Sequence, residues 1–225
     1  MRRTLLVAFA LSAALGFTAL GIWQVERRAW KLDLIARVEA RIHGSPAPMP
    51  DWRGFDAHAQ EYRRVRLRGV FLHDRETLVQ AVTERGAGFW VLAPFRTSNG
   101  IVLVNRGFVP SGASARRSRS DGEVSVTGLL RATEPRGGFL RTNDPAANRW
   151  YSRDVAAIAR ARGLGAVAPF FVDADATPNP GGYPVGGLTV VAFRNNHLVY
   201  ALTWFALAGL SVAAAAFVLR QPKHR

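Results

Sequence analysis

Two long stretches of the chain carry no charged residue, and they constrain the fold more than any other feature of the sequence. Residues 4–22 and 198–219 each reach the roughly 20 apolar residues that a helix needs to cross a hydrocarbon core of about 30 Å. In a chain of 225 residues, they leave room for one further domain of ordinary size. We therefore expect transmembrane helices over residues 4–23 and 197–219, with a single domain over residues 24–196 between them.

The first apolar segment also has features of a secretory signal, because Arg2 and Arg3 precede it and small residues follow. It is longer than the apolar core of about 7–15 residues that is usual in a signal. It also continues through Trp23 into a charged helical pattern instead of a small-residue cleavage site. These two features favour a retained membrane anchor.

Basic residues flank both apolar segments on the side of the chain ends, and neither tail has an acidic residue. The basic residues of the two tails are Arg2, Arg3, Arg220, Lys223 and Arg225. Basic residues beside a membrane helix favour the cytoplasmic side. We therefore expect both termini in the cytoplasm and the central domain on the opposite face of the lipid bilayer.

The composition excludes several classes of function. The chain has 30 Lys and Arg against 16 Asp and Glu, but the basic residues are scattered along predicted strands without a motif that reads nucleic acid. The basic excess suits anionic lipid headgroups, an acidic protein surface or ligand carboxylates, and no nucleic acid is expected as a partner. The chain has no Cys, which excludes disulfides, thiolate metal sites and covalent attachment of haem.

The part of the chain between the apolar segments has the pattern of short strands separated by turns. Beyond Trp23 the helical spacing of apolar residues continues to residue 42, and the Gly and Pro residues of positions 44–50 end it. Alternation then predicts a strand around Val65 and Leu67. Further strands are predicted over residues 77–82, 89–95, 101–109, 124–130, 170–173 and 188–193, and a short helix over residues 153–161. The expected fold class is an α+β membrane protein, in which two transmembrane helices flank one mainly-β extracytoplasmic domain, a small barrel or sandwich.

No motif of a known enzyme class is found in the sequence. Nucleophile-elbow, zincin, Walker and dinucleotide-binding patterns are absent. The histidines are His43, His58, His73, His197 and His224, and none is spaced with another as a metal site on one helix requires. An extracytoplasmic enzyme that uses Asp154 or Glu134 would need a neighbouring histidine, which the sequence does not place. We expect a protein that is not an enzyme.

His197 stands at the start of the second apolar segment. On a helix, His197, Tyr200 and Trp204 lie on one face. An imidazole at a membrane surface can ligate haem iron, with aromatic side chains packed on the macrocycle. An ordinary aromatic belt, with His197 in the headgroup region, explains the same residues more simply.

The first apolar segment offers Trp23 and Gln24 at a matching depth, followed by Arg27, Arg28 and Lys31. By default these are interfacial residues. Paired with the second segment, they can also line one pocket and supply cations for carboxylates.

Five short blocks of sequence follow one another from the first apolar segment to the second. They are Gly21-Ile22-Trp23-Gln24 with Arg27 and Lys31, Tyr62-Arg63-Arg64-Val65 with Gly69, Val104-Asn105-Arg106-Gly107, Trp150-Tyr151-Ser152-Arg153-Asp154, and Asn195-Asn196-His197-Leu198 with Tyr200, Thr203 and Trp204. As an ordered set between two spans, they resemble the Surfeit locus protein one family, which are assembly factors of cytochrome c oxidase. Phe108 departs from the family pattern, in which a tryptophan is expected.

The resemblance implies a role in maturing the catalytic subunit of cytochrome c oxidase. Bacterial relatives are similar to carriers of haem a that act between haem a synthase and that subunit. His197 is then the expected iron ligand of a transient, non-covalently bound haem a. The residues expected around it are Trp23, Gln24, Arg27, Tyr200 and Trp204. The implied location is a bacterial inner membrane with the central domain in the periplasm, and a scaffold that stabilises the subunit without haem is the alternative.

The block Asn105-Arg106-Gly107 has a structural interpretation. We expect Gly107 at a bend or a close backbone approach and Arg106 in an ion pair beneath the loops. A change of Gly107 to Glu is expected to damage folding more than binding.

Overall fold

The computed structural model describes residues 2–138 and 141–221. Lys223, His224 and Arg225, which bear on the orientation and on the count of histidines, lie outside the described residues. The chain forms two compact units, a helical one from residues up to 39 and from 191 onwards, and a domain over Ala40–Val190. The predicted boundaries at residues 23, 24, 196 and 197 refer to a membrane and stay predictions.

The helical unit consists of most of a first long helix and the whole of a last one. The helices of the chain are α1 (Arg2–His43), α2 (Ala57–Gln60), α3 (Val155–Ala161) and α4 (His197–Arg220). The most apolar 18-residue windows of α1 and α4 have mean hydropathies of 2.2 and 2.1, so both are long and apolar enough to cross a membrane. The predicted continuation of the first segment as a helix is confirmed, and α1 ends where Gly44 and Pro46 follow.

The domain is built on a seven-stranded sheet that closes into a small barrel. Its strands are β1 (Ala47–Pro48), β2 (Arg64–Phe71), β3 (Thr77–Thr83), β4 (Gly86–Thr97), β5 (Gly100–Pro110), β6 (Val124–Ala132) and β7 (Val167–Ala174). The hydrogen-bonded order is β1-β2-β6-β7-β5-β4-β3, and β2 also pairs with β4. This pairing, through Val70 with Arg96 and Phe71 with Phe95, closes the ring β2-β6-β7-β5-β4. The β-rich domain is therefore confirmed, and it forms a barrel.

Strand β5 is buried on both faces and positions two separate cores. Val102 and Val104 belong to the core formed with residues of β2, β6 and β7. Leu103, between them, packs with Trp150 and with Ile158 of α3 in a second core. Because both faces are covered, the strand is a continuous apolar run instead of an alternating one.

Two predicted elements differ from the structure. Residues 188–193 are irregular and form no strand, because they cross the boundary between the two units, which lies after Val190, and lead to α4. The short helix begins at Val155 and not at residue 153, because Asp154 is its N-cap and its carboxylate accepts a hydrogen bond from the Ala157 N–H at 3.0 Å. The other predicted strands are present with somewhat longer bounds.

Gly107 lies where β5 is crossed by a later loop. Its φ of +128° is in a region that favours glycine, and a Cβ at this position would lie 2.2 Å from the carbonyl oxygen of Val185. The next residue, Phe108, exchanges two backbone hydrogen bonds with Val185, of 2.9 and 2.8 Å. The close approach expected at Gly107 is therefore observed.

Replacing Gly107 with alanine is expected to lower the free energy of unfolding by roughly 2 to 4 kcal/mol, because the Cβ is strained and also clashes with the loop. Gly112→Ala is the matched control, since no atom lies within 4 Å of the position of its Cβ and its φ is ordinary. Denaturant unfolding of both variants in detergent measures the difference. Equal stability of the two variants would contradict this account of Gly107.

Candidate functional site

Within the helical unit, α1 and α4 pack side by side in antiparallel directions. The contacting pairs are Arg3 with the Leu219 carbonyl, Phe17 with Trp204, Gly21 with Phe205, and Gln24 with His197. Residue numbers rise along α1 as they fall along α4. The start of α1 therefore lies beside the end of α4, and His197, at the start of α4, meets the middle of α1.

Small residues allow these two helices to approach closely. The buried alanines of α4 recur every seven residues and are Ala201, Ala208 and Ala215. Facing residues of α1, Ala14 and Gly21, are also buried and seven residues apart. This spacing is typical of helices that pack at a small crossing angle, and small side chains bring their backbones together. A Cβ on Gly21 would lie only 2.6 Å from the ring of Phe205.

A polar contact lies at the start of α4. His197 Nδ1 is 2.7 Å from Gln24 Oε1. The amide oxygen accepts, so Nδ1 carries the hydrogen and, in the neutral ring, Nε2 keeps its lone pair. Gln24 is only 8% exposed and His197 is half-buried, so the hydrogen bond is partly shielded from water and helps to orient the imidazole.

This arrangement is the one that a metal-ligating histidine requires. Such a histidine binds the metal through one ring nitrogen and donates the N–H of the other to an acceptor that fixes the tautomer and the orientation of the ring. Within residues 2–138 and 141–221, no group of three or more His, Asp and Glu side chains is placed to hold a bare metal ion. A single histidine held in this way can supply one ligand to an iron whose other ligands come from a macrocycle, as in haem.

The other predicted site residues lie on the same two helices and differ in exposure and contacts. Trp23 and Tyr200 are 53% and 54% exposed, so both rings are available to a ligand. Trp204 is half-buried and stacks on Phe17, with 5.6 Å between ring centroids. The guanidinium of Arg27 lies over the ring of Trp30, with its Cζ 4.0 Å from the ring centroid.

Sequence reasoning missed Phe17, although a signal for it was present. Phe17, Gly21 and Gln24 follow one another at helical spacing and so share a face of α1. That face is the one that meets Phe205, Trp204 and His197 of α4. Phe193 was also missed, and its ring lies 5.1 Å from the Lys31 ammonium nitrogen.

In the barrel domain, the carboxylates considered for an enzyme have structural partners. Asp154 caps α3, and Glu134 binds the guanidinium of Arg153 at 3.0 Å. Burial raises the pKa of Glu134, but the hydrogen bonds and charge of Arg153 more than offset this, and the pKa is lowered overall. Arg153 also binds the buried Asp173 at 3.1 Å. Asp173 accepts further hydrogen bonds from Asn105, Arg131 and Thr189.

A second buried ionic cluster surrounds Glu76. Its carboxylate accepts from His73 Nδ1 at 2.8 Å, Arg106 Nη1 at 3.2 Å and Arg117 Nε at 2.8 Å. The side chains of Glu76 and Arg106 are each 3% exposed. Burial raises the pKa of Glu76, but its hydrogen bonds to Arg117 and His73 and the charge of Arg106 hold that pKa below the ordinary value. The ion pair expected for Arg106 is therefore observed.

Comparison with known proteins places both helices and the barrel in one family. The model of the SURF1 family matches residues 11–209 and so includes both Gln24 and His197. This chain belongs to the SURF1 family. It is 39% identical to human Surfeit locus protein 1 over 211 residues, which are 84% of this chain and 69% of the relative. It is 38% identical to a SURF1-like protein of Monosiga brevicollis over 225 residues, covering 92% and 84% of the two chains.

Another relative of this SURF1-family chain is Surfeit locus protein 1 of Takifugu rubripes. The two chains are 36% identical over 210 residues, which are 84% of this chain and 86% of the relative. These named relatives come from eukaryotes. They give no support to the predicted bacterial inner membrane or to the predicted orientation.

Replacing Gly21 with valine is expected to separate the helix pair of this SURF1-family protein, because the added side chain occupies the space of the Phe205 ring. The melting temperature in detergent should fall by several degrees, on the order of 4 °C or more. Gly16→Val is the matched control on the same helix, because nothing lies within 4 Å of the position of its Cβ. If the two variants melt at the same temperature, the close packing at Gly21 does not hold the pair together.

Proposed function

We propose that this SURF1-family protein assists the assembly of cytochrome c oxidase by binding haem a at the start of α4 and passing it to the catalytic subunit. The observation that carries the proposal is the hydrogen bond between the buried Gln24 and His197. A histidine that only caps a helix in the headgroup region does not need a buried amide to fix its ring. A histidine that binds iron does, because its free nitrogen must point in one direction.

The residues around His197 fit the proposed ligand. Haem a supplies an iron that accepts the lone pair of an imidazole nitrogen, here Nε2 of His197. Trp23 and Tyr200 have more than half of their surface free to pack against an apolar ring system. Arg27 and Lys31 are cations for carboxylates, and each is held over an aromatic ring by a contact of modest strength that it can exchange.

A carrier must also release what it binds. A single histidine gives weaker and more exchangeable ligation than two axial ligands do. In this proposal the protein catalyses no reaction, haem a synthase supplies the haem, and the catalytic subunit receives it. The family resemblance supports these partners.

Replacing His197 with alanine is expected to abolish saturable binding of haem a by the protein in detergent, because the ligating nitrogen is removed. Gln24→Leu keeps the ligand and removes its acceptor, so the dissociation constant should rise roughly 10- to 100-fold. His58→Ala is the control, since His58 is an exposed histidine of the other unit. Absorption titrations with haem a measure all three variants.

The alternative is a scaffold that stabilises the nascent catalytic subunit without haem. It predicts that His197→Ala supports oxidase assembly as well as the original chain does. Wild-type protein that fails to bind haem a, or that binds it equally well without His197, would contradict the carrier and favour the scaffold.

We also propose that α1 and α4 both cross the membrane, with the barrel domain on the extracytoplasmic side. The large apolar residues exposed along both helices support this, because they would face lipid or partner helices. Antiparallel packing brings the start of α1 and the end of α4 to the same side, where Arg2, Arg3 and Arg220 favour the cytoplasm.

Because the chain has no cysteine, single cysteines can report this topology. Ser98→Cys, in the exposed β4–β5 turn, should react with a membrane-impermeant maleimide in intact spheroplasts. Gln221→Cys, just after α4, should react only after the membrane is permeabilised. The opposite pattern, or labelling of both cysteines in intact spheroplasts, would contradict the proposed orientation.

A further inference from the structure

A cavity of about 270 Å³ lies in the barrel domain, within the unit that does not contain His197. Apolar side chains form much of its lining and are Phe71, Val124, Val126 and Ala174. Ser125, Thr177 and Pro178 also line it and are exposed, so the cavity is open to solvent. Its volume is below the roughly 300–1,000 Å³ of sites for drug-sized ligands, so an occupant must be small.

Two residues of the cavity lining each have one buried polar atom that lacks a hydrogen-bond partner in the described part of the chain. The two atoms are Arg106 Nε and Ser120 Oγ. The terminal nitrogens of Arg106 are already engaged, Nη1 with Glu76 and the Ser118 carbonyl, and Nη2 with the Ser118 hydroxyl and Asn179. Nε–H is therefore a spare donor on an otherwise fixed guanidinium. Buried donors without partners cost free energy, which an acceptor on a ligand would recover.

The charges near Arg106 leave a positive excess. Arg106 and Arg117 share one carboxylate, that of Glu76. Asp175, the carboxylate that lines the cavity, has its own cation, Arg64, at 3.6 Å. Burial lowers the pKa of Arg106, and repulsion from Arg117 lowers it further against the attraction of Glu76. A bound anion would balance this charge.

We propose that this cavity binds a small carboxylate with a short apolar body, whose oxygens accept hydrogen bonds from Arg106 Nε and Ser120 Oγ. The apolar body packs on Phe71 and Val126, and the carboxylate neutralises the charge that Glu76 leaves unpaired. A water molecule would satisfy the two donors but neither the charge nor the apolar walls. The site does not involve His197, so the proposal goes beyond the proposed haem function and is independent of it.

Calorimetric titration of the full chain in detergent with benzoate, butyrate and benzamide tests the proposal. Benzoate and butyrate should bind saturably, and benzamide, a neutral analogue of benzoate, should bind at least tenfold more weakly. Ser120→Ala should weaken benzoate binding roughly five- to tenfold. It should fold normally, because the hydroxyl makes no hydrogen bond within the described residues. Ser98→Ala, which removes an exposed hydroxyl of the β4–β5 turn, should leave the affinity unchanged.

Three results would overturn the proposal. The first is the absence of saturable binding of both carboxylates. The second is an equal effect of Ser120→Ala and Ser98→Ala, since this would place the ligand elsewhere. The third is tighter binding of inorganic phosphate than of either carboxylate, which would show that the apolar walls take no part.

Discussion

The close approach of α1 and α4 is the interaction on which the helical unit and its proposed site depend. Both helices present small residues to each other, and Gly21 leaves room for the ring of Phe205. Only at such a short separation can the amide of Gln24 reach the imidazole of His197 at 2.7 Å. The tautomer and direction of the imidazole are therefore consequences of how tightly two apolar helices pack.

The barrel domain is stabilised differently. Its strands pair so that few strand edges stay free, and its buried carboxylates have cationic partners. Closure between β2 and β4 uses the edges that an open sheet would expose. Asp173 and Glu76 are each surrounded by donors, and their cations come from distant parts of the chain. Such networks are costly to break, because removing one member leaves a buried charge without a partner. Arg106 Nε and Ser120 Oγ, in the lining of the cavity, lack this matching, as does Gln60 Oε1 elsewhere in the domain.

Sequence patterns predicted the parts of this fold that depend on local spacing. The apolar runs of the two long helices and the alternation at Val65 and Leu67 are such local signals. Residues 188–193 show the limit of such signals, because their composition is typical of a strand while the segment leads across the boundary between the two units to α4. Closure of the barrel depends on pairing between strands that are far apart in the sequence, and the periodicity of a single strand does not predict such pairing.

For the candidate site, spacing predicted which residues share a face of one helix but not which residue of the other helix they meet. Gln24 and His197 were placed at a similar depth by sequence, yet their hydrogen bond depends on the register of the two helices. Gly21 and the alanines of α4 allow the close packing in which this register occurs. The stacking of Trp204 on Phe17 was likewise not predicted, because it joins residues of two different helices. Arg27 and Lys31, the cations near Trp23, make cation–π contacts with aromatic rings that sequence spacing did not predict.

The central claim is that a nitrogen of His197 binds the iron of haem a, and chemical rescue tests it most directly. The measurement is the visible absorption spectrum of the His197→Gly variant with haem a, before and after free imidazole is added. The account predicts that the variant lacks the ligated-haem spectrum of the wild-type protein and that imidazole restores it. A wild-type spectrum in the variant without imidazole would contradict the claim, because the iron would then be held by another residue.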